Sequence, residues 1–187
     1  AGTGKTVVAM HRAVYLAEKR FTEPTDRILF TTFTRNLAAD VHANLSKLCS
    51  PEAMARIEVV HLDKWVAGLL QRAGYEYEIK WWGMGGALEG LWEQALTLAP
   101  ADQFALSFFR DEWELVVQPQ GCASWEDYKK ASRAGRGVRM SRAQRKDVWP
   151  VFEEYRYLLE KKGYREPEDA LRDARALVKQ GKVRLSV

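Results

Sequence analysis

The chain has 187 residues, 47% of them hydrophobic and 29% charged, with a net charge of +4. This composition excludes a disordered or low-complexity chain, and no apolar run approaches the ~20 residues that cross a bilayer, so no membrane partner is expected. The two cysteines, Cys49 and Cys122, share no metal-ligand spacing and suit a reducing compartment, the cytoplasm.

The chain opens on Ala1-Gly2-Thr3-Gly4-Lys5-Thr6. A glycine-rich turn ending in Gly-Lys-Thr before a helical pattern is the sequence form of a phosphate-binding loop. Glycines let backbone N–H groups approach phosphate oxygens, and the positive end of the following helix adds to the field there. On this reading Gly2, Thr3, Gly4, Lys5 and Thr6 hold a nucleotide. Lys5 reaches its β- and γ-phosphates and is the catalytic candidate, and the Thr6 hydroxyl ligates Mg²⁺. The first glycine of the full pattern falls upstream of Ala1, and the strand expected before the loop is missing, so the chain reads as a piece of a larger protein. The plainer reading is a glycine turn capping an ordinary helix.

Lys5 to about Arg20 reads as a helix with Val8, Val14, Leu16 and Ala17 on its apolar side. After a turn at Glu23–Asp26, Arg27–Thr32 reads as a buried strand. Asn36–Leu48 is helical and is broken by Ser50-Pro51. Ile57–His61 is a second strand, and Leu62–Arg72 a helix stopped by Gly74. This alternation predicts an α/β domain with a parallel sheet, and phosphate loops belong at the carboxyl ends of such strands.

The composition then shifts. Tyr75–Trp82 is aromatic and extended, and Gly83, Gly85 and Gly86 make a loose joint. Trp81-Trp82 can stack on bases or pack a hinge. From Ala87 nearly everything looks helical. One apolar stripe is Leu88, Leu91, Trp92 and Ala95. A second is Phe104, Phe108, Phe109, Trp113 and Val116, and a third is Val148, Phe152, Tyr155 and Leu159. Pro150 is expected to kink or split the last of these. Pro167–Lys179 is a final helix, and Gly181 turns the chain into a strand at Val183–Val187. The expected fold is therefore an α/β domain interrupted by a mostly α-helical insertion subdomain, with boundaries at 1–78, 79–166 and 167–187.

Two further motifs sit at strand ends. Thr31-Thr32-Phe33-Thr34-Arg35-Asn36 follows the first strand. It is either a hydroxyl cap on the next helix or a nucleic-acid surface. In the second case Phe33 offers a ring for base stacking, and Thr34, Arg35 and Asn36 offer donors to phosphates. Val60-His61 closes the second strand in the same way, and His61 either bonds a phosphate or sugar or is structural.

Taken together, Ala1–Thr6, His11-Arg12, Ile28–Ala39 and Val60-His61 resemble the early motifs of superfamily 1 helicases of the UvrD/Rep type. The resemblance covers about residues 1–75. It implies a RecA-like first motor domain carrying a helical insertion, and an ATP-dependent DNA helicase that moves 3′ to 5′. It also implies ATP and Mg²⁺ at Lys5 and Thr6, and single-stranded DNA at Phe33, Thr34, Arg35, Asn36 and His61. A second RecA-like domain of the same parent chain is the implied partner. The sequence departs from the family in three ways. Val7 stands where many members carry arginine, the adenine-reading glutamine motif is absent, and so is the Asp-Glu pair that holds Mg²⁺. Asp111-Glu112 does not supply that pair, because Phe104–Val116 keeps helical rather than strand spacing. The 187 residues alone are therefore expected not to hydrolyse ATP.

Between Lys129 and Lys146 lie eight cations in eighteen residues. Either they form a solvated surface, or Arg133, Arg136, Arg139 and Arg142 contact the phosphates of forked DNA without reading sequence. Two rival functions remain at this stage. One is a noncatalytic DNA-binding module that retains a motor fold. The other is an unrelated P-loop kinase or ATPase, which would bind nucleotide without affinity for single-stranded DNA.

Overall fold

The computed structural model describes residues 4–99, 101 and 103–181. The chain divides into two units, Ala1–Gly74 with Ala174–Val187, and Tyr75–Asp173. The expected strand at Val183–Val187 lies outside the described residues.

In the first unit the order is α1 (Lys5–Lys19), β1 (Ile28–Thr32), α2 (Arg35–Leu48), α3 (Pro51–Met54), β2 (Ile57–His61) and α4 (Leu62–Arg72). The two strands are parallel and in register from Ile28 opposite Ile57 to Thr32 opposite His61. Their core is Met10, Ala13 and Ala17 of α1, Val41 and Leu45 of α2, Ala53 and Ile57, with Ile28, Phe30 and Val59 packed against it. Small alanines on α1 let the helix approach the strands closely, and Met10 fills the remaining gap.

Two expectations are corrected here. Val8 is 69% exposed rather than on the apolar side of α1. The buried spacing of Met10, Ala13 and Ala17 rotates that face away from it. The first strand is not buried on both sides. Ile28 and Phe30 meet the core, whereas Leu29 and Thr31, pointing the other way, remain exposed.

In the second unit follow β3 (Glu78–Ile79), α5 (Ala87–Leu98), α6 (Leu106–Glu112), a π-helical turn over Trp113–Val117, α7 (Trp125–Tyr128), α8 (Arg142–Lys161), β4 (Tyr164–Arg165) and the start of α9 (Pro167–Lys179). The core is aromatic. Trp92 stacks on Tyr155 at 3.8 Å between ring centres and meets Trp113 edge-on at 5.8 Å, while Phe152 contacts Phe109, Trp113, Tyr128 and Trp149. The three predicted apolar stripes all turn inward. Phe104 does so from a bend ahead of α6, stacked on Phe108 at 4.1 Å.

The chain over 79–166 is less uniformly helical than its composition suggests. Short parallel strands β3 and β4 pair Glu78 with Tyr164 and Ile79 with Arg165. The segment from Lys129 to Ser141 is an irregular loop. Pro150, expected to kink or split a helix, sits inside α8, which runs unbroken for 20 residues. Proline removes one N–H, and the buried neighbours Val148, Trp149, Val151 and Phe152 hold the helix together around that loss. Trp82 packs against the core beneath the Arg110 guanidinium, 4.3 Å from the ring centre, so it serves packing, while Trp81 is 39% exposed.

Glu112 and Glu166 are buried in this unit, and Glu166 meets neutral donors. Glu166 accepts hydrogen bonds from the indole N–H of Trp113 at 2.5 Å, the amide of Gln118 at 2.9 Å and the hydroxyl of Tyr155 at 3.1 Å. Desolvation outweighs these donors and pushes its pKa from 4.5 up to about 7. Folded Glu166 thus holds its proton more tightly than unfolded Glu166. Its contribution to stability is present at low pH and is lost as pH rises toward about 7. At about 1.4 kcal/mol per pKa unit the loss is roughly 3 kcal/mol. Urea denaturation at pH 5 and pH 8 should show Glu166→Gln narrowing the stability difference between the two pH values by about 2.5 kcal/mol, the part of that loss that falls between them.

Candidate nucleotide and nucleic-acid edge

The parallel pair fixes where the first unit presents its chemistry. Both strands end on the same edge, Thr32 beside His61. The Arg56 guanidinium, just before β2, donates to the Ala17 carbonyl at 2.9 Å. The carboxyl end of α1 therefore lies at the amino ends of the strands, and its amino end points to the edge where Phe33 and His61 emerge. A 15-residue helix is about 22 Å long and a five-residue strand about 16 Å, so α1 has the length to span the strands.

At the amino end of α1, Gly4 has φ 66°. This left-handed conformation suits glycine, and a Cβ there would meet no atom within 4 Å, so only backbone geometry selects the residue. The Gly4 carbonyl accepts the first helical bond, from the Val8 amide at 3.0 Å. Among the described residues no side chain caps the helix, and no acid lies in its first turn. Its leading amides therefore point outward beside exposed Lys5 and Thr6. Free amides, a lysine, a hydroxyl and no carboxylate are a donor set that fits a nucleotide's phosphates and their Mg²⁺. Gly2 and Thr3 lie outside the described residues.

Beyond β1 the chain makes a tight, tied turn. Buried Thr32 donates its hydroxyl to the Thr34 carbonyl at 2.9 Å, and the Thr34 hydroxyl accepts from the Leu37 amide at 3.2 Å, capping α2. Phe33, held between these two threonines, is 86% exposed. Arg35 and Asn36 are exposed in the first turn of α2, which also lacks acids. Thr34 thus spends its hydroxyl on the cap, leaving Phe33, Arg35 and Asn36 as the outward-facing members. His61 is turned back, its Nε2 lying 3.3 Å from a carboxylate oxygen of Asp63, with 17% of its side chain exposed.

The second unit corrects the reading of the basic segment. Arg133 and Arg136 do not line a free surface. Glu112, fully buried, receives Arg133 through Nε at 2.6 Å and Nη2 at 2.9 Å, and Arg136 through Nε at 3.0 Å. Tyr128 adds its hydroxyl at 2.9 Å. Burial pushes the Glu112 carboxyl up, but these donors prevail and hold it below the usual carboxylate range. A buried carboxylate needs such partners, and it draws them from the loop 21 and 24 residues downstream. Arg139 and Arg142 are exposed. Glu112 lies on α6, so Asp111-Glu112 is helical, as its spacing implies.

The family model of the UvrD/REP helicase N-terminal domain matches residues 1–155. The chain belongs to that family, that of superfamily 1 helicases. The comparison with curated proteins gave no match.

The tied turn separates two neighbouring side chains by role. Phe33→Ala should shift the urea midpoint by less than about 0.5 kcal/mol of stability, because the ring is exposed. Thr34→Ala, which removes the α2 cap, should cost about 1 kcal/mol, and Thr34→Ser should restore most of it.

Proposed function

We propose that this chain is the first motor domain of an ATP-dependent DNA helicase, coupling ATP hydrolysis to movement along single-stranded DNA and to duplex unwinding, 3′ to 5′. The observation that carries the reading is the exposed Phe33 ring. It stands on a capped, tied strand tip, on the same edge of the parallel pair toward which an uncapped, acid-free glycine-turn helix points. An anion cradle and a base-stacking platform are what a nucleotide-driven motor on a single strand requires together.

In this reading the Gly2–Thr6 loop takes ATP, with Lys5 on the β- and γ-phosphates and Thr6 on Mg²⁺. Bound Mg²⁺ supplies charge neutralisation at the transferring phosphoryl group. Phe33 stacks on a base, while Arg35 and Asn36 donate to the backbone near the positive end of α2. Thr34 contributes by fixing the turn. His61, steadied by Asp63, borders the path of the strand. Arg139 and Arg142 add backbone contacts from the second unit. The domain plan is a RecA-like domain over 1–78 and 167–187 with a helical insertion over 79–166. The working partner is a second RecA-like domain, the substrate is forked DNA, and the compartment is the cytoplasm.

Fluorescence polarisation with labelled oligo-dT tests the platform. Phe33→Ala should weaken binding by roughly 10- to 100-fold, the loss of one stacked base at about 1–3 kcal/mol. Unchanged affinity would remove the platform. No residue of this sequence matches the family's Asp-Glu pair, so residues 1–187 alone should show no DNA-stimulated release of phosphate in a coupled assay. Turnover above background would show that the acidic function is supplied from within.

A further inference from the structure

Trp113 and Gln118 stand five residues apart, yet both donate to the same oxygen of Glu166, at 2.5 and 2.9 Å. In an α-helix, at about 100° per residue, side chains five apart diverge by about 140° around the axis. Here the Gln118 amide bonds the Trp113 carbonyl at 2.8 Å, the i to i+5 bond of a π turn. The wider turn brings the two side chains onto one face. Tyr155 of α8 reaches the other Glu166 oxygen at 3.1 Å. Gln118 also donates to Asp169 at 3.2 Å, and Arg172 donates to the Gln118 carbonyl at 2.9 Å and to Asp169. Glu166 immediately precedes Pro167, so its carboxyl fastens the root of α9 to the π turn. From there α9 runs on past Asp173 into residues of the first unit.

The charges around this carboxyl leave it without a counter-ion. Arg172 is spent on Gln118 and Asp169. Arg156 of α8 donates to the Cys122 carbonyl at 2.5 Å and lies over the Trp113 ring, 5.0 Å from its centre. Arg165, next in the chain, pairs with Glu160 at 2.6 Å and with Asp173 at 3.6 Å. Glu114 of the π turn is turned to Arg110. The Tyr155 hydroxyl is held protonated by burial, and Trp92 of α5, stacked on its ring, is neutral. Burial, and after it the Asp169 carboxylate, disfavour charge on Glu166. Ionised, it is a buried charge facing neutral donors and a like charge, and opening to water relieves it.

We infer that Glu166 is a proton-gated clasp: with its proton it gathers both ends of the π turn and the root of α9, and without it the 113–122 segment and the first turn of α9 open locally while α8 stays closed. The sign follows from the raised pKa of about 7. The clasp is fully closed at low pH and loosens as pH rises toward that value. It is a property of the second unit and stands apart from the motor reading.

The test is amide hydrogen exchange of the full chain, followed by segment across the pH range, corrected for intrinsic rate, with and without urea at about 1 M. Protection over 113–122 and 166–172 should fall by about 10-fold between pH 6 and pH 8, then level off, as a carboxyl titrating at 4.5 when open and about 7 when closed requires. A local opening uncovers little surface. Urea should therefore leave these segments nearly unmoved while it speeds exchange over 148–159 of α8. Glu166→Gln, neutral at every pH, should abolish the pH step. Protection that ignores pH would overturn the inference, and so would a Glu166→Gln protein that keeps the step. A step that urea amplifies over 113–122 as strongly as over 148–159 would overturn it too, because Glu166 then serves overall stability alone. If Glu166→Gln does not fold, the wild-type titration with and without urea decides.

Discussion

Parallel pairing of Ile28–Thr32 with Ile57–His61 is the constraint from which the first unit's chemistry follows. Two strands running the same way must be joined by a crossover, here α2 and α3, and the helices run back against them. Strand carboxyl ends and helix amino ends then share one edge. Charge follows from that geometry, because the positive ends of both helices lie there and no acid stands in the first turn of α1 or α2 to cancel them. Phe33 joins them from the turn between strand and helix, its ring 86% exposed. Thr32 and Thr34 hold the backbone on either side.

The second unit obeys a different constraint. Its interior is a set of interlocked rings, and aromatic pairs favour definite angles and spacings. Two carboxylates are buried with opposite outcomes. Glu166 meets neutral donors and keeps its proton toward neutrality, whereas Glu112 meets two guanidiniums and loses it readily. The difference lies in the formal charge of the donors. Glu112 thereby gives an irregular loop an anchor that no helix or sheet ladder supplies.

Much of this was legible in the sequence because it is local. The glycine turn before α1, the hydroxyl cap on α2, the Gly74 stop and the apolar stripes all depend on residues within a turn or two of one another. The resemblance carried by Ile28–Ala39 agrees with the family to which the chain belongs. What stayed hidden depends on distant residues. Arg133 and Arg136 share their spacing with Arg139 and Arg142, so nothing nearby in the chain distinguishes inward from outward guanidiniums. Glu112 and Asp111, far upstream, do. The burial of alternate residues on β1 is hidden for a similar reason. An apolar run shows that a strand can be covered, and the helices present decide which side is. The β3–β4 ladder, two residues long in each strand, leaves no periodic trace at all.

That short ladder has a consequence for how such a chain can change over time. Glu78 and Ile79 lie beside Tyr164 and Arg165, and Tyr75 is hydrogen-bonded to Asp173, so the second unit begins and finishes at neighbouring points. Strands in a ladder are about 4.8 Å apart. A unit whose two ends meet can be lengthened or trimmed between them without moving those ends apart. The aromatic interior can then diverge under its own packing rules, leaving the strand tips elsewhere free to answer to a separate selection.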